Sequence, residues 1–91
     1  MQATEPSVPQ IDQTLDVRGE FCPVPALEAR RRLDGMTPGQ VLRVIASDPL
    51  AAVDLQILCD RCAHALLSSS VCDGVLTVLI RVSPGRRPDA G

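Results

Sequence analysis

The sequence predicts an α/β fold, a two-layer sandwich with the element order β-α-β-α-β-β. Three observations lead to it: apolar and polar residues alternate over residues 11–17, two helical stretches interrupt the strand-like segments, and Asp73-Gly74 marks a hairpin near the end. At 91 residues the chain holds one domain. Both helices are expected on one face of the sheet, with a right-handed crossover between the first two strands.

The first strand and helix are predicted from alternation and helical spacing. One side of strand 11–17 is apolar while the other side is polar. Pro23 then opens a helix that runs to about Leu33, on which Ala29 belongs to an apolar stripe. Gly35 is placed to terminate this helix.

The middle of the chain repeats the strand and helix pattern. Residues 41–46 (VLRVIA) are rich in β-branched side chains, which favours a buried strand. Asp48 is predicted to cap the second helix, with Pro49 at its first position. This helix is expected to end near Ala63, and Cys62 lies on its apolar stripe and is expected in the core.

The last two strands are predicted at residues 65–71 and 75–82. The Asp73-Gly74 pair between them is a strong short-range signal for a tight turn. The two strands are therefore expected to form an antiparallel hairpin.

Composition divides the chain into a domain and two tails. Residues 1–10 and 83–91 are poor in apolar side chains and are expected to be flexible, leaving 11–82 as the folded domain. The first ten residues lack the basic and apolar regions of a secretory signal. No apolar run approaches the ~20 residues needed to cross a bilayer. These features predict a cytoplasmic protein.

Charge and aromatic content bear on the class of partner. The formal net charge is -2, all nine basic residues are Arg, and Phe21 is the only aromatic residue. Nucleic-acid binding requires a basic surface and usually stacking aromatics. Direct nucleic-acid binding is therefore disfavoured, and an acidic protein that meets protein partners is favoured.

The segment Cys22-Pro23-Val24-Pro25 is the main candidate for chemistry. A residue before proline is pushed out of the helical region, so Cys22 is expected at the helix N-cap, where the positive end of the helix dipole favours a thiolate. Pro23 and Pro25 would stiffen this turn, Arg18 would favour the thiolate and Glu20 would oppose it. The alternative is that Cys22 is a small buried residue at a loop–helix junction.

A longer pattern surrounds this segment. LDVRGEFCPVP is followed by MTPGQVLRVIASDP, then by Asp54 with LQILC, then by His64 and a closing VLIRV. The pattern resembles the TusA (SirA-like) family of sulfur-carrier proteins over about residues 15–82. The resemblance implies a fold like the C-terminal domain of translation initiation factor three, in agreement with the element order above.

The resemblance also implies a function. Cys22 falls on the family's functional cysteine and would accept sulfur as a persulfide from a donor such as a cysteine desulfurase or a rhodanese. It would then pass the sulfur to an acceptor protein, serving tRNA thiolation, molybdenum-cofactor maturation or dissimilatory sulfur oxidation. Such a relay needs no metal and no organic cofactor, and the protein is expected to act as a monomer.

Three further cysteines allow a different interpretation. Cys59 and Cys62 form a CxxC that could act as a dithiol, and with His64 and Cys72 they supply ligand types that zinc accepts. The spacing is unlike paired zinc knuckles, which favours packing of Cys59 and Cys62 near the helix–sheet interface. Cys72, beside the hairpin turn, is expected to be exposed.

An arginine run on the first helix and a single histidine are further candidates for function. Arg30, Arg31 and Arg32 form a cationic run on the first helix, which is either a solvated face or a docking surface for an acidic partner. His64 is expected to be a helix-end or packing residue rather than a base. The alternative function is a redox or metal-binding interaction module that uses the Cys59/Cys62 pair, with Cys22 structural.

Overall fold

The computed structural model describes residues 10–83. The elements in this part of the chain follow the predicted order β-α-β-α-β-β. They are β1 (Gln13–Val17), α1 (Val24–Asp34), β2 (Val41–Ala46), α2 (Ala51–Cys62), β3 (Ala65–Cys72) and β4 (Val75–Arg81). The tails predicted at residues 1–10 and 83–91 lie outside the described residues, except for Gln10 and Ser83.

The four strands form one mixed sheet with the spatial order β1-β2-β4-β3. β1 and β2 are parallel, and Val17 lies opposite Ala46 near their carboxyl ends. β4 runs antiparallel to both β2 and β3. Because parallel neighbours end at the same edge of a sheet, the loops that follow β1 and β2 emerge side by side. That edge holds the candidate site.

The core is built from aliphatic side chains. Leu33 of α1, Leu55 of α2, Leu42 of β2 and Ile80 of β4 are almost completely buried in one contiguous cluster. Since this cluster joins both helices to the sheet, the two helices cover the same face, as predicted. The single aromatic residue, Phe21, takes no part in the core and is 73% exposed.

The start of α1 differs from the prediction by one residue. The carbonyl of Pro23 accepts the first helical hydrogen bond, from the Leu27 N–H at 3.1 Å. Pro23 is therefore the N-cap residue, Val24 is the first helical residue and Pro25 is the second. The prediction that Cys22 is the N-cap was wrong. Gly35 ends the helix as predicted, with its N–H bonded to the Arg32 carbonyl.

The start of α2 also lies later than predicted. The N-cap residue is Leu50, whose carbonyl accepts the Asp54 N–H at 3.1 Å. Asp48 is thus not the cap, and Pro49 precedes the helix. The Asp48 Oδ1 atom accepts the Leu50 N–H at 3.0 Å, so its carboxylate orders the turn before the helix instead.

The hairpin between β3 and β4 forms where the sequence predicts it. Asp73 and Gly74 have positive φ angles of 52° and 78°, the combination that type I′ turns require. β1 begins at Gln13, two residues later than predicted. Among residues 10–83, no helix is long and apolar enough to cross a membrane.

Candidate functional site around Cys22

Cys22 lies at the tip of a tight turn between β1 and α1. The Val24 N–H donates to the Phe21 carbonyl at 2.8 Å, which places Cys22 and Pro23 at the two central positions of the turn. The Cys22–Pro23 peptide bond is cis. The Cys22 thiol is free and exposed. A partner protein can therefore reach the sulfur without any rearrangement of the fold.

Asp48 connects this turn to the neighbouring loop. Its Oδ2 atom accepts the backbone N–H of Cys22 at 2.6 Å, while Oδ1 holds the turn before α2 through Leu50. The Asp48 residue is only 7% exposed. One buried carboxylate therefore fixes the Cys22 backbone against the start of the second helix.

A second hydrogen bond joins the same two loops. The backbone N–H of Gly19 donates to the Ser47 hydroxyl at 2.9 Å. Gly19 has a φ of 91°, which an L-residue adopts only with strain. The two contacts follow from the parallel pairing of β1 with β2, because both loops leave the sheet at the same edge.

The electrostatic surroundings of Cys22 are acidic rather than basic. The pKa of the Cys22 thiol is raised above its ordinary value, first by the nearby Asp54 side chain, which is able to accept a hydrogen bond from the thiol. Loss of hydration and the negative charges of Asp54 and Asp48 raise the same pKa further. The sequence predicted that the helix N-terminus would favour the thiolate, whereas these surroundings raise the pKa of Cys22.

Arg18 is held by another partner. Its guanidinium makes a bidentate pair with the Asp16 carboxylate, with distances of 2.9 Å from Nε to Oδ1 and 2.7 Å from NH2 to Oδ2. Hydrogen bonding to Arg18 lowers the pKa of Asp16, and the pair raises the pKa of Arg18. The groups that act on the pKa of Cys22 are carboxylates, so Arg18 does not supply the thiolate stabilisation expected of it.

The three arginines of α1 do not act as one patch. Arg31 lies 3.9 Å from the Glu28 carboxylate, and Arg32 donates to the Gln13 side chain at 3.2 Å. Arg30 instead faces the groove between α1 and α2. Of the three, Arg30 is therefore the one beside the candidate site.

The groove between the helices is open and amphipathic, with a volume of about 370 Å³. It begins at Pro23, the neighbour of Cys22 in the sequence. Its charged side chains are one carboxylate, Asp54, and two guanidinium groups, Arg30 and Arg61. Its lining residues are Pro23, Ala26, Leu27, Arg30, Asp54, Ile57, Leu58 and Arg61. Leu27 and Ile57 are about half exposed, which adds apolar surface to this groove.

The remaining cysteines lie elsewhere. Cys59 is 1% exposed, and burial, with smaller contributions from Asp60 and Cys62, raises its pKa to about 11. Cys59 belongs to the core, whereas Cys62 is half-buried and packs against it, so the prediction that Cys62 is itself a core residue was wrong. Cys72 is exposed, also as predicted.

The structure does not assemble the ligand set considered for zinc. Within residues 10–83, no three or more His, Cys, Asp or Glu side chains are grouped so as to hold a metal ion. His64 is 7% exposed, and its Nδ1 atom accepts the Ser83 N–H at 3.2 Å. His64 is thus a packing residue that links Ser83, beyond β4, to the short connection between α2 and β3.

Sequence reasoning missed the acidic side of the site. Asp54 was noted only as part of a longer pattern, and Asp48 only as a cap. The available signal was the parallel pairing of β1 with β2, which brings the segments that follow Val17 and Ala46 together. Sequence spacing alone does not show that a helix starting near residue 50 places a carboxylate beside residue 22.

The fold and site define a class: a small α/β sandwich that presents one exposed thiol on a proline-fixed turn before a helix. Residues 13–82 match the model of the family described as sulfurtransferase TusA. The chain therefore belongs to the TusA family.

Two relatives agree with this assignment, and one solved structure shares the fold. A Neisseria meningitidis protein, named as a candidate sulfur carrier, is 42% identical over 76% of this chain and 93% of its own length. Sulfur carrier protein TusA of Allochromatium vinosum is 39% identical over 79% of this chain and 95% of its own. The crystal structure of a SirA-like protein from Desulfitobacterium hafniense aligns with a TM-score of 0.71 and 24% identity, over 79% and 99% of the two chains. This likeness confirms the fold.

Proposed function

We propose that this protein is a sulfur carrier that accepts sulfane sulfur as a persulfide on Cys22 and passes it to an acceptor protein. The observation that carries the proposal is the free, exposed thiol at the tip of the Phe21–Val24 turn. A carrier must be reached in turn by a donor and by an acceptor, and an exposed sulfur on a convex turn meets that requirement. Family membership and the names of the relatives support the same role.

The transfer is a thiol exchange that needs no cofactor. Cys22 loses its proton, and its sulfur attacks the outer sulfur of the donor persulfide. The S–S bond of the donor breaks, the donor cysteine leaves as a thiolate and takes up a proton, and Cys22 carries the persulfide. Delivery repeats the same exchange with the acceptor as nucleophile. No net oxidation or reduction occurs in either step.

Exposure and position separate Cys22 from the other cysteines. Cys59 is buried, with a pKa raised to about 11, and Cys62 is half-buried. Cys72 is exposed but lies at the end of β3, at the hairpin turn. Cys22 alone lies within the proline-rich turn, where Asp48 fixes its backbone. These contrasts support Cys22 as the sulfur-bearing residue, with Pro23 and Pro25 shaping the turn that carries it.

The surface near Cys22 suits an acidic partner. Arg30 and Arg61 line the groove that starts at Pro23, and Leu27 and Ile57 supply apolar contact area. Arginine is well suited to carboxylate recognition at interfaces. We propose that a donor sulfurtransferase, of the cysteine desulfurase or rhodanese type, docks here, with Arg31 and Arg32 at the outer edge. The acceptor belongs to tRNA thiolation, molybdenum-cofactor maturation or dissimilatory sulfur oxidation, and the carrier acts as a cytoplasmic monomer.

Intact mass spectrometry tests the function. The reduced protein is incubated with cysteine and a cysteine desulfurase, or with thiosulfate and a rhodanese. We expect the mass of one added sulfur atom, lost again on reduction. The Cys22→Ser variant should gain no sulfur, while Cys72→Ser, which removes the other exposed thiol, should load like the wild type. Sulfur uptake by Cys22→Ser equal to that of the wild type would contradict the proposal.

A further inference from the structure

Asp54 carries a buried oxygen without a partner. Its Oδ2 atom is inaccessible to solvent and has no partner with hydrogen-bonding geometry among residues 10–83. Buried carboxylate oxygens almost always accept hydrogen bonds, because losing hydration without replacement is unfavourable. This oxygen therefore has room to accept a hydrogen bond from a donor beside it. Neither the packing of the core nor the sheet requires a carboxylate at this position.

The fold places this carboxylate beside the thiol. Asp54 lies in the first turn of α2, with its N–H bonded to the Leu50 carbonyl. Asp48 binds the N–H of Leu50 with one oxygen and the N–H of Cys22 with the other. The first turn of α2 is thus docked on the cysteine turn, and Asp54 shares the groove lining with Pro23, the neighbour of Cys22.

The remaining charges around the thiol do not offset this carboxylate. Arg18 is paired with Asp16 on β1. Asp48 adds a second negative charge. The charged side chains on the surrounding elements are Arg18 and Glu20 on the cysteine loop, Asp48 on the loop before α2, Asp54, Asp60 and Arg61 on α2, and Glu28, Arg30, Arg31, Arg32 and Asp34 on α1.

We propose that Asp54 is a positioning residue for Cys22: its buried Oδ2 atom accepts the thiol hydrogen of the unloaded carrier and so keeps the sulfur protonated and turned toward α2. The raised pKa of Cys22, for which Asp54 is the largest cause, agrees with the arrangement. The inference rests on the proposed sulfur-carrier function and assigns a regulation to the same site.

This hydrogen bond would make Cys22 react with a bound donor in preference to small molecules in solution. A protonated thiol is a poor nucleophile, so the unloaded carrier is protected from small electrophiles and oxidants until a donor is bound. A persulfide anion cannot donate a hydrogen to Asp54 and is repelled by its charge. The loaded sulfur is therefore turned away from α2 toward an acceptor.

The pH profile of Cys22 alkylation tests this role. Iodoacetamide rates are followed on the tryptic peptide of residues 19–30, in which Cys22 is the only cysteine. Asp54→Asn keeps the shape of the side chain but removes its charge. We expect its rate at pH 7 to rise roughly twofold or more over the wild type, and the midpoint of the profile to move to lower pH. The variant has a larger fraction of Cys22 thiolate at pH 7, and the lower nucleophilicity of that thiolate cancels only part of the gain in rate.

The matched control is Asp60→Asn, an exposed carboxylate on the same helix that bonds to Gln56. It should follow the wild-type profile. The proposal is overturned if Asp54→Asn also follows the wild type, or if Asp60→Asn shifts the profile equally. A further comparison needs no variant: the Cys22 midpoint should be higher in the folded wild type than in urea, and equal midpoints would contradict the proposal.

The result separates the two proposals. Sulfur uptake by the wild type is measured independently of alkylation. Uptake on Cys22 with an unchanged Asp54→Asn profile would overturn only the role of Asp54. No uptake with any donor, together with the expected shift, would contradict the carrier function while leaving the thiol–carboxylate interaction established.

Discussion

At the scale of single residues, the reactivity of Cys22 depends on two carboxylates that lie far from it in the sequence. Asp48 holds its backbone and Asp54 acts on its thiol. A helix N-terminus alone would favour the thiolate. The acidic surroundings instead raise the pKa of Cys22, which favours the protonated thiol.

Asp48 is predicted to matter for stability as well. Asp48→Ala removes the acceptor of two backbone N–H groups, those of Cys22 and Leu50, in a nearly buried position. We expect the free energy of unfolding to fall by about 1–3 kcal/mol, measured by urea denaturation. Asp60→Ala, at an exposed position, serves as control and should change it by less than about 0.5 kcal/mol. Equal effects of the two variants would contradict the linking role of Asp48.

At the scale of elements, local sequence signals predicted much of the structure. The order of strands and helices, the Asp73-Gly74 turn and the end of α1 at Gly35 are confirmed. Each depends on residues close in sequence, where periodicity and turn chemistry act. The helix starts were displaced by one or two residues, because the carbonyl that accepts the first helical hydrogen bond is not set by the capping residue types alone.

The end of α2 offers a test of this local chemistry. Ala63 closes the helix with a φ of 61°, a left-handed conformation that glycine adopts without strain. Ala63→Gly is expected to raise the free energy of unfolding by about 0.5–1 kcal/mol in urea denaturation. Ala52→Gly, inside the same helix, should lower it by a similar amount. Destabilisation by Ala63→Gly would contradict the left-handed conformation of Ala63 at the end of α2.

At the scale of the whole molecule, the site is a product of topology. The parallel pairing of β1 with β2 brings two loops together at one edge, and the antiparallel β4 and β3 complete the sheet. Such proximity is non-local, so the sequence revealed the cysteine turn but not the carboxylates that face it. The family resemblance, now supported by the match over residues 13–82, predicted the fold and the position of the cysteine.

Because of the composition of the chain, its stability at alkaline pH tests whether the pKa of Cys59 is raised in the folded state. The sequence has no Tyr, and all its basic residues are Arg, so cysteines are the side chains that titrate between pH 9 and 11. Burial raises the pKa of Cys59 from 9.0 to about 11. A raised pKa in the folded state contributes stability that is present below the ordinary value and lost as pH rises through the raised one.

Urea denaturation as a function of pH measures this contribution. We expect the free energy of unfolding to fall between pH 9 and 11, and to fall less steeply in Cys59→Ala. Cys22→Ala is the parallel variant for the exposed thiol, whose pKa is also raised. A pH dependence in Cys59→Ala as steep as that of the wild type would contradict the assignment to Cys59.

The measurement that tests the central claim most directly is the location of the added sulfur. Trypsin separates Cys22, on residues 19–30, from Cys59, on residues 44–61, and from Cys62 and Cys72 on residues 62–81. After loading by a donor and trapping with an alkylating reagent, the peptide containing Cys22 should alone carry the extra sulfur atom. Sulfur found instead on either of the other two peptides, with residues 19–30 unmodified, would contradict the account.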